Sequence, residues 1–472
     1  MYPILARTRT SLLSPPPLDD PSILGAGRAA LILLPKDPQT CLRLAYQQLH
    51  AVPFREVKTC WRRLYTDSAL WVVVEVVAEH LEKRGEDESD EKWVDRVVKE
   101  LDMALILTGA VGREELVGEW FDVLEEVLGS QADESSARPA KRRKVDSEQL
   151  PDTFPEDIRR KPVPKCPIAR SRELSLSAFQ AKVSNPQTQT PLIIEGAIDH
   201  WPAFEDSRAW KKPHYLLRKT LDGRRLVPVE IGRSYTDAGW AQKILSFRQF
   251  MQTYMLETAD AHTDPHPAEH PSDDTPSSHL NAQKGYLAQH DLFAQIPSLR
   301  ADIAVPDFCY TAPAPPLSNP SHVKDVQELA DPLLNAWFGP ADTISPLHTD
   351  PYHNILAQVV GYKYVRLYAP AETPRLYPRG TEADGVDMSN TSCVDLEGAM
   401  EAWPEISCWG HRDGGGGDEG EEQQVRELYG GFREARYVEG VLGPGECLYV
   451  PVGWWHYVRS LTASFSVSFW WN

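Results

Sequence analysis

The apolar pattern of this 472-residue chain changes partway along its length, and that change limits the fold more than any other feature. From about residue 37 to residue 129, large apolar residues recur every three or four positions, as at Val74, Val77 and Leu81. This spacing is typical of amphipathic helices. Further along, short apolar runs such as 192–194 are separated by Pro and Gly, which indicates strands. The sequence therefore predicts a helical N-terminal part and a β-rich C-terminal part.

The composition between these parts predicts where the domains end. Residues 131–165 are rich in Ser, Glu, Pro and clustered basic residues, and large aliphatic residues are sparse, as in a disordered linker. We therefore predict a helical domain over 1–130 and a β-rich domain over 166–472. Two segments of the second domain are predicted to be loop insertions. These are 258–279, rich in Asp, His, Pro and Ser, and 410–424, with four consecutive Gly and many Glu.

Charge and hydropathy exclude several classes of partner. The formal net charge is -19, from 49 Lys and Arg against 68 Asp and Glu. A broad basic surface for nucleic acid is not expected, because phosphate neutralisation needs clustered cations. An acidic surface suits a basic protein or peptide. No apolar run approaches the roughly 20 residues that span a bilayer, so no membrane association is expected. Seven scattered cysteines without a C-x-x-C pair indicate neither a zinc finger nor a disulfide framework.

One dense basic run stands out within the predicted linker. Lys141, Arg142, Arg143 and Lys144 follow a Pro-Ala pair and precede Val-Asp, in surroundings that resemble an unfolded segment. Such a run resembles a monopartite nuclear localisation signal. We therefore expect a nuclear import receptor as a partner and a nuclear location, with a cytoplasmic fraction also compatible. The alternative is a solvated, charged linker without a receptor.

The strongest chemical signal is the sequence Ser-Pro-Leu-His-Thr-Asp that ends at Asp350, followed much later by Trp-Trp-His at His456. Residues i and i+2 of a strand share a face, so His348 and Asp350 can point at one ion. His456 completes the set only if the sheet folds back on itself. Two histidines and one carboxylate leave positions open for cosubstrate and dioxygen, which suits non-haem Fe(II). His353 has the wrong parity for this face and is predicted either to support the metal ligands without binding the metal or to have a structural role.

A lysine at the start of a predicted strand gives a second signal. Lys363 begins the run Lys-Tyr-Val-Arg-Leu-Tyr, which follows another strand-like run over 354–361. A buried lysine needs an anion, and a dicarboxylate that chelates iron at one end would supply one at the other. The alternative is an edge-strand charge that faces water. Short antiparallel strands of this kind build a jelly-roll barrel.

From about residue 191 to residue 472, the chain resembles the JmjC-domain oxygenases. The matching blocks are 196–202, 227–232, 285–290, the segment around His348, 390–392 and the Trp-rich terminus. The resemblance implies an α+β protein: a C-terminal double-stranded β-helix, the cupin-like JmjC jelly-roll barrel, with an N-terminal helical domain.

The resemblance also implies ligands and site residues. It implies Fe(II) held by His348, Asp350 and His456, with dioxygen and 2-oxoglutarate as cosubstrates. The residues implied for 2-oxoglutarate are Tyr286, Ser345, Asn354 and Lys363. The residues implied for the substrate pocket are Glu230, Tyr235, Trp240, Gln289, Trp337 and Trp470. For the three tryptophans, the alternative of barrel core stays open.

The resemblance implies an Fe(II)- and 2-oxoglutarate-dependent dioxygenase that acts on a protein side chain. Glu230 with aromatic neighbours suits the planar guanidinium of arginine, so arginine hydroxylation is favoured. Demethylation of lysine, with histones as candidate substrates, is the alternative. A silent cupin barrel that acts as a nuclear scaffold does not explain an intact triad together with Lys363. A zinc hydrolase does not explain Lys363 and Tyr286.

Overall fold

The structure is a computed structural model, and it describes residues 1–83, 91–136, 150–237, 239–256, 284–316, 326–382, 385–409 and 419–472. The predicted insertion at 258–279, the residues 410–418 of the second insertion and the basic run at 141–144 lie outside the described residues. The chain divides into two compact units. The first comprises Met1–Gln149, Leu217–Val227 and Ile244–Gln249, and the second comprises Leu150–Leu216, Pro228–Lys243 and Phe250–Asn472.

The first unit is helical, as the apolar spacing predicts. Its helices are α1 (Tyr2–Leu13), α2 (Arg28–Leu33), α3 (Pro38–Leu49), α4 (Thr59–Glu82), α5 (Lys92–Thr108) and α6 (Glu114–Ser136). Helix α4 contacts α1, α3 and α5. It is apolar around most of its circumference, and Leu64, Leu70, Val73 and Val77 are fully buried. A helix that is apolar all round is central to its domain, because it must be covered on every side.

A buried ion pair explains why 217–227, from far along the chain, belongs to the helical unit. The Arg225 guanidinium donates to the Asp102 carboxylate, with Nη2 2.8 Å from Oδ1. It also lies over the Phe121 ring at 3.5 Å from the ring centroid. Burial of a charge is tolerated when it is paired and hydrogen-bonded. The sequence pattern does not show this connection, because the two partners are far apart in the chain.

The second unit contains most of the described strands and the remaining helices, and β3 and β4 extend into the first unit's ranges. Its helical segments are α7 (Leu176–Val183), α8 (Pro213–Lys219), α9 (Phe247–Phe250), α10 (Leu292–Gln295), α11 (Pro297–Arg300), α12 (Leu396–Ala402) and α13 (Glu419–Leu428), of which α8 and α9 extend into the first unit's ranges. The strands are β1 (Arg170–Arg172), β2 (Leu192–Glu195), β3 (Leu226–Ile231), β4 (Ala241–Ser246), β5 (Gly285–His290), β6 (Leu333–Gly339), β7 (Ile344–His348), β8 (His353–Val360), β9 (Lys363–Tyr368), β10 (Tyr437–Leu442), β11 (Glu446–Val450), β12 (Trp455–Ser460) and β13 (Ser464–Trp471).

These strands form two sheets. The larger has the order β1-β2-β11-β8-β13-β6-β5-β3-β4, and the smaller has the order β10-β9-β12-β7. Most neighbours are antiparallel, and every residue of β8, β9 and β13 is buried. The prediction of an α+β protein with a C-terminal jelly-roll barrel and an N-terminal helical region is confirmed by this arrangement. Within the described ranges, no helix is both long enough and apolar enough to cross a membrane.

Two segments are more ordered than the sequence analysis expected. Residues 150–165, placed in the disordered linker, pack onto the second unit. Phe154 is buried and its N–H donates to the Lys211 carbonyl, while the Val163 N–H donates to the Cys408 carbonyl. Of the predicted loop at 410–424, residues 419–424 form the start of α13. One buried aromatic residue and a few backbone hydrogen bonds suffice to order a polar segment, which composition alone does not reveal.

Candidate metal centre

Strand pairing in the smaller sheet brings the three predicted metal ligands together. β7 and β12 are antiparallel, and His456 lies directly opposite His348. Asp350 follows the end of β7 by two residues. One ligand atom from each of the three side chains lies within 4.8 Å of the others. The Asp350 carboxylate lies 3.5 Å from His456 Nε2 and 4.0 Å from His348 Nε2.

Hydrogen bonds fix the orientation of both imidazoles. His348 Nδ1 lies 2.7 Å from the Pro346 carbonyl, and His456 Nδ1 lies 3.1 Å from the Trp454 carbonyl. A carbonyl oxygen only accepts, so each Nδ1 carries the proton and each Nε2 presents a lone pair. Burial, aided by His456, lowers the pKa of His348 to about 4, which keeps its imidazole neutral near pH 7. Neutral imidazoles and a carboxylate are the protonation states that a metal ion requires.

The donor set fits Fe(II). Burial alone would raise the pKa of Asp350, but the two imidazoles beside the carboxylate lower it, so the carboxylate is ionised. Two neutral nitrogens and one anionic oxygen on one face match the ligands of non-haem Fe(II) sites with open positions. Among the described residues, no other group of three metal-binding side chains converges in this way.

Lys363 lies inside the barrel and not at a sheet edge. It is 1% exposed, and β9 lies between β10 and β12, so the alternative of a water-facing edge charge does not apply. Its ammonium nitrogen lies 3.2 Å from the Tyr286 hydroxyl. Within the described ranges no carboxylate forms an ion pair with it, and burial lowers its pKa to about 7. An uncompensated buried cation of this kind fits the distal carboxylate of 2-oxoglutarate.

Two further predicted cosubstrate residues lie on neighbouring strands. Ser345 is buried on β7, and a hydrogen bond between Ser345 and Tyr286 joins it to the phenol beside Lys363. Asn354 is buried on β8, and its side-chain oxygen is buried without a hydrogen-bond partner among the described residues. Buried polar atoms are almost always satisfied, so such an atom indicates a ligand or a water. Their contact with 2-oxoglutarate stays a prediction.

Glu230, Tyr235 and Trp240 form one predicted side of the substrate pocket. Glu230 on β3 is half-buried and accepts a hydrogen bond from the Trp240 side chain. Burial, together with the charges of Asp350 and Glu230, raises the pKa of Tyr235 to about 12. Tyr235 therefore lies within electrostatic range of both the metal carboxylate and Glu230. Trp240 is 37% exposed, which does not fit the core alternative for this residue.

The other three predicted pocket residues differ in their surroundings. The Trp337 ring packs beside the Tyr286 ring, with centroids 6.1 Å apart. Trp470 is buried, stacks on Tyr352 and lies opposite Asn354, which is compatible with both a core and a pocket position. Gln289 is exposed at a β-bulge with φ of 47°. Their roles stay predictions.

Sequence reasoning missed several residues that hold this centre together. The Trp337 indole N–H donates to the Ser468 hydroxyl at 2.9 Å, and Asn390 and Thr391 contact the turn that carries Asp350. For Ser468, the available sequence signal was the alternation of Ser464, Ser466 and Ser468 along the last strand. Serines on a fully buried strand need partners in the interior. His353, which was predicted to support the metal ligands or to be structural, is buried, and its Nδ1 lies 3.0 Å from the Tyr449 hydroxyl.

Comparison with known proteins places this geometry in a family. A family model described as "Cupin-like domain" matches residues 177–472. The chain is 32% identical to a protein named lysine-specific demethylase 8 from Danio rerio, over 92% of this chain and 86% of that protein. It is 32% identical to lysine-specific demethylase JMJ30 from Arabidopsis thaliana, over 91% of this chain and 84% of that protein. It is 34% identical to Jumonji C domain-containing protein 5 from Drosophila melanogaster, over 65% of this chain and 60% of that protein.

The matches cover the barrel, and two of them also cover most of the helical unit. The predictions of family, fold and cofactors are thereby confirmed. The chain therefore belongs to the cupin-like JmjC family, the 2-oxoglutarate-dependent dioxygenases that use Fe(II), 2-oxoglutarate and dioxygen.

Proposed function

We propose that this dioxygenase hydroxylates an arginine side chain of a protein substrate, with His348, Asp350 and His456 as its iron ligands. The observation that carries the proposal is the state of Glu230. Its carboxylate is half-buried and bonded to the Trp240 side chain. Within the described ranges it has no cationic partner, and burial raises its pKa. A buried carboxylate of this kind is stabilised in its ionised form by a cation that arrives with the substrate.

The surroundings of Glu230 favour a guanidinium as that cation. A guanidinium is planar, donates two parallel hydrogen bonds to a carboxylate and stacks on aromatic rings. Tyr235 and Trp240 supply aromatic side chains beside Glu230. Tyr235 is also within electrostatic range of Asp350, so a guanidinium bound by Glu230 would hold its aliphatic carbons near the metal ligands. Positioning of a specific C–H bond is what the protein must contribute to such a reaction.

Cosubstrate binding is assigned to the residues around Lys363 and Tyr286, whose side chains are in contact. We propose that the Lys363 ammonium and the Tyr286 hydroxyl donate to the distal carboxylate of 2-oxoglutarate, and that Ser345 and Asn354 supply further polar contacts. The Lys363 pKa of about 7 means that the free site holds a partly neutral amine. A bound dianion would favour the charged form, so the pair becomes a charge-assisted hydrogen bond in a dry pocket.

Bound Fe(II) would supply the oxidising chemistry, in which one oxygen atom of dioxygen is inserted into a substrate C–H bond and the other is used to oxidise 2-oxoglutarate to succinate and carbon dioxide. The chain's own residues determine where this occurs. Pro346 and Trp454 carbonyls hold the two imidazoles in the metal-binding tautomer. Glu230, Tyr235 and Trp240 orient the substrate, and the buried strands β8 and β13 exclude water.

Demethylation of lysine is the second candidate, because relatives in Danio rerio and Arabidopsis thaliana are named lysine-specific demethylases. A relative from Homo sapiens, 24% identical, is named a bifunctional peptidase and (3S)-lysyl hydroxylase. A methylated lysine would still be attracted by Glu230, but it cannot form the two-pronged pair. The metal centre serves either reaction, and the bound side chain decides which C–H bond reacts.

Mass spectrometry separates the two reactions. The purified protein is incubated with Fe(II), 2-oxoglutarate, ascorbate and two peptides that differ only in one residue, arginine or methylated lysine. A gain of one oxygen atom on the arginine peptide supports the proposal. Loss of methyl groups from the lysine peptide, with the arginine peptide unchanged, would replace arginine hydroxylation by demethylation.

We also propose that the protein is imported into the nucleus through Lys141, Arg142, Arg143 and Lys144. The support is the cationic run itself, flanked by Pro and Asp within a polar segment. Replacement of the four residues by Ala should move a fluorescent fusion from the nucleus to the cytoplasm without a change in thermal stability. Unchanged nuclear accumulation would show that import depends on another part of the chain.

A further inference from the structure

A short segment between β9 and α12 runs beside the metal-ligating end of β7. Thr391 pairs with His348 as an isolated antiparallel bridge, and the Ser392 N–H donates to the Leu347 carbonyl. The Thr349 N–H donates to the Asn390 carbonyl at 2.8 Å. The segment thus pairs with β7 at its metal-ligating end and contacts the turn between His348 and Asp350.

Asn390 contacts the peptide unit that separates two of the metal ligands. Besides the backbone bond, its side-chain amide donates to the Thr349 carbonyl at 3.2 Å. Asn390 therefore binds both the N–H and the carbonyl of Thr349, the residue between His348 and Asp350. Thr349 is 1% exposed, so water is not available to replace these bonds. These two hydrogen bonds fix the backbone of Thr349, and that backbone sets the distance between His348 and Asp350.

Thr391 contacts the predicted substrate pocket. Its hydroxyl lies 3.4 Å from the Tyr235 hydroxyl and donates to the Asn390 side-chain oxygen at 3.4 Å. The Thr391 proton is used in the bond to Asn390, so the Tyr235 hydroxyl is the donor to Thr391. The bonds form a chain with one direction: from Tyr235 to Thr391, from Thr391 to Asn390, and from Asn390 to Thr349.

We propose that Asn390 and Thr391, here called the brace, are positioning residues that tie the metal-ligating turn to Tyr235. Asn390 holds the turn between His348 and Asp350, and Thr391 sets the direction of the Tyr235 hydroxyl. Neither contacts the reacting atoms. Partners of this kind, one step removed from the ligands, typically change metal affinity or activity by about 10- to 100-fold when they are removed. The part that concerns Tyr235 rests on the proposed function.

The first test measures metal affinity without any substrate. Mn(II) is titrated into the full-length metal-free protein, and Asn390→Ala is compared with wild type and with Ser392→Ala. Ser392 lies on the same segment, but its hydroxyl contacts the Leu376 carbonyl and the Val394 N–H, away from the turn. Asn390→Ala should weaken Mn(II) binding by about 10-fold or more, with Ser392→Ala close to wild type. Wild-type affinity in Asn390→Ala, or equal losses in both variants, would overturn the role of Asn390.

The second test concerns Thr391 and keeps its shape constant. Thr391→Val removes the hydroxyl with little change in volume, and Thr391→Ser keeps the hydroxyl. Thr391→Val should raise KM for the arginine peptide as Tyr235→Phe does, and Mn(II) affinity should stay within about 2-fold of wild type. The double variant of Thr391→Val and Tyr235→Phe should have no higher KM than Tyr235→Phe alone. Ser should restore the wild-type KM. A Val variant equal to wild type, or Val and Ser impaired equally, would overturn the role of Thr391.

Failure of the proposed function gives a different result. If arginine hydroxylation is wrong, the wild type itself will not oxidise the arginine peptide, and the Mn(II) titration still decides the role of Asn390. If only the brace is wrong, the wild type will oxidise the peptide, and the variants will match it in both measurements.

Discussion

Glu230 and Tyr286 are direct partners across the antiparallel strands β3 and β5. Cross-strand partners project from the same face, so the carboxylate assigned to the substrate and the phenol assigned to the cosubstrate are neighbours. Burial and the Glu230 charge both raise the pKa of Tyr286, which keeps the phenol protonated as a donor. The two proposed pockets therefore share one wall, and a substitution in one of them is checked by measuring the binding of both ligands.

Glu230→Gln keeps the shape of the side chain and removes its charge. We expect it to weaken binding of the arginine peptide by about 1.5–3 kcal/mol, the range for a hydrogen bond to a charged group. Affinity for 2-oxoglutarate should stay nearly unchanged, because Tyr286 remains a neutral donor beside Lys363. Binding curves for both ligands check this. The matched control is Glu195→Gln, since the Glu195 carboxylate on β2 already pairs with Arg170 and Arg172.

The pH dependence of peptide binding provides a second observation on the same residue. Burial raises the pKa of Glu230, so its carboxylate becomes protonated at a higher pH than an ordinary glutamate. Affinity for the arginine peptide should therefore fall as the pH is lowered through this raised pKa. Glu230→Gln should not show this fall. A wild-type affinity that stays constant down to the ordinary range of glutamate would contradict the assignment.

Lys363 gives a pH effect of the opposite sign. Its pKa in the free protein is about 7, so above pH 7 the amine is mostly neutral and must take up a proton to pair with a carboxylate. Affinity for 2-oxoglutarate should fall as the pH rises above 7, and calorimetry in buffers of different ionisation enthalpy should show proton uptake. Lys363→Met should lose most of the affinity. Lys284→Met is the control, because Lys284 is more exposed and pairs with Asp342.

The local sequence pattern was sufficient to predict the site residues that lie close together in the sequence. The i, i+2 parity placed His348 and Asp350 on one face and excluded His353, and the chemistry of a buried cation explained Lys363. The family resemblance, more than any pattern, supplied Glu230, Tyr235 and Tyr286. His456 was expected only on condition that the sheet folds back, since its pairing with His348 is set by the register of β7 and β12.

Other contacts had no local signal at all. The pairing of Arg225 with Asp102 joins positions on either side of the predicted linker, and the ordered packing of Phe154 depends on a surface built by distant strands. Asn390 and Thr391 lie in a block that the family resemblance includes, but no role was predicted for them, because their effect comes from backbone pairing with β7. Long-range register sets these contacts, and composition and periodicity carry no information about it.

His348→Ala should abolish turnover and leave the barrel folded. The substitution removes one of three ligands but little apolar burial, since the ring lies at the end of β7. Mn(II) titration and succinate production check the site, and thermal unfolding checks the fold. His353→Gln is the neighbouring control: His353 Nδ1 accepts from the Val452 N–H and lies beside the Tyr449 hydroxyl, so this variant should keep its Mn(II) affinity. Wild-type succinate production in folded His348→Ala would rule out this iron site.

Ser468 should determine how Trp337 lies beside the cosubstrate pocket. The Trp337 N–H donates to the Ser468 hydroxyl, and its ring packs beside Tyr286. Ser468→Ala leaves the indole N–H without an acceptor in a half-buried site, which should lower the free energy of unfolding by about 1–3 kcal/mol. If Trp337 contacts the substrate, KM for the arginine peptide should rise, and more succinate should form for each peptide hydroxylated.

Ser464→Ala is the matched control for this last prediction. Ser464 lies on the same strand, is fully buried, and likewise accepts from a side-chain N–H, that of Gln358. The Gln358 amide keeps its bonds to the Val360 and Gly361 carbonyls after the change, so the stability loss should be smaller. The peptide KM should not change, because Trp337 keeps its acceptor. Equal KM values for Ser468→Ala and wild type would show that Trp337 is a barrel-core residue and not a wall of the pocket.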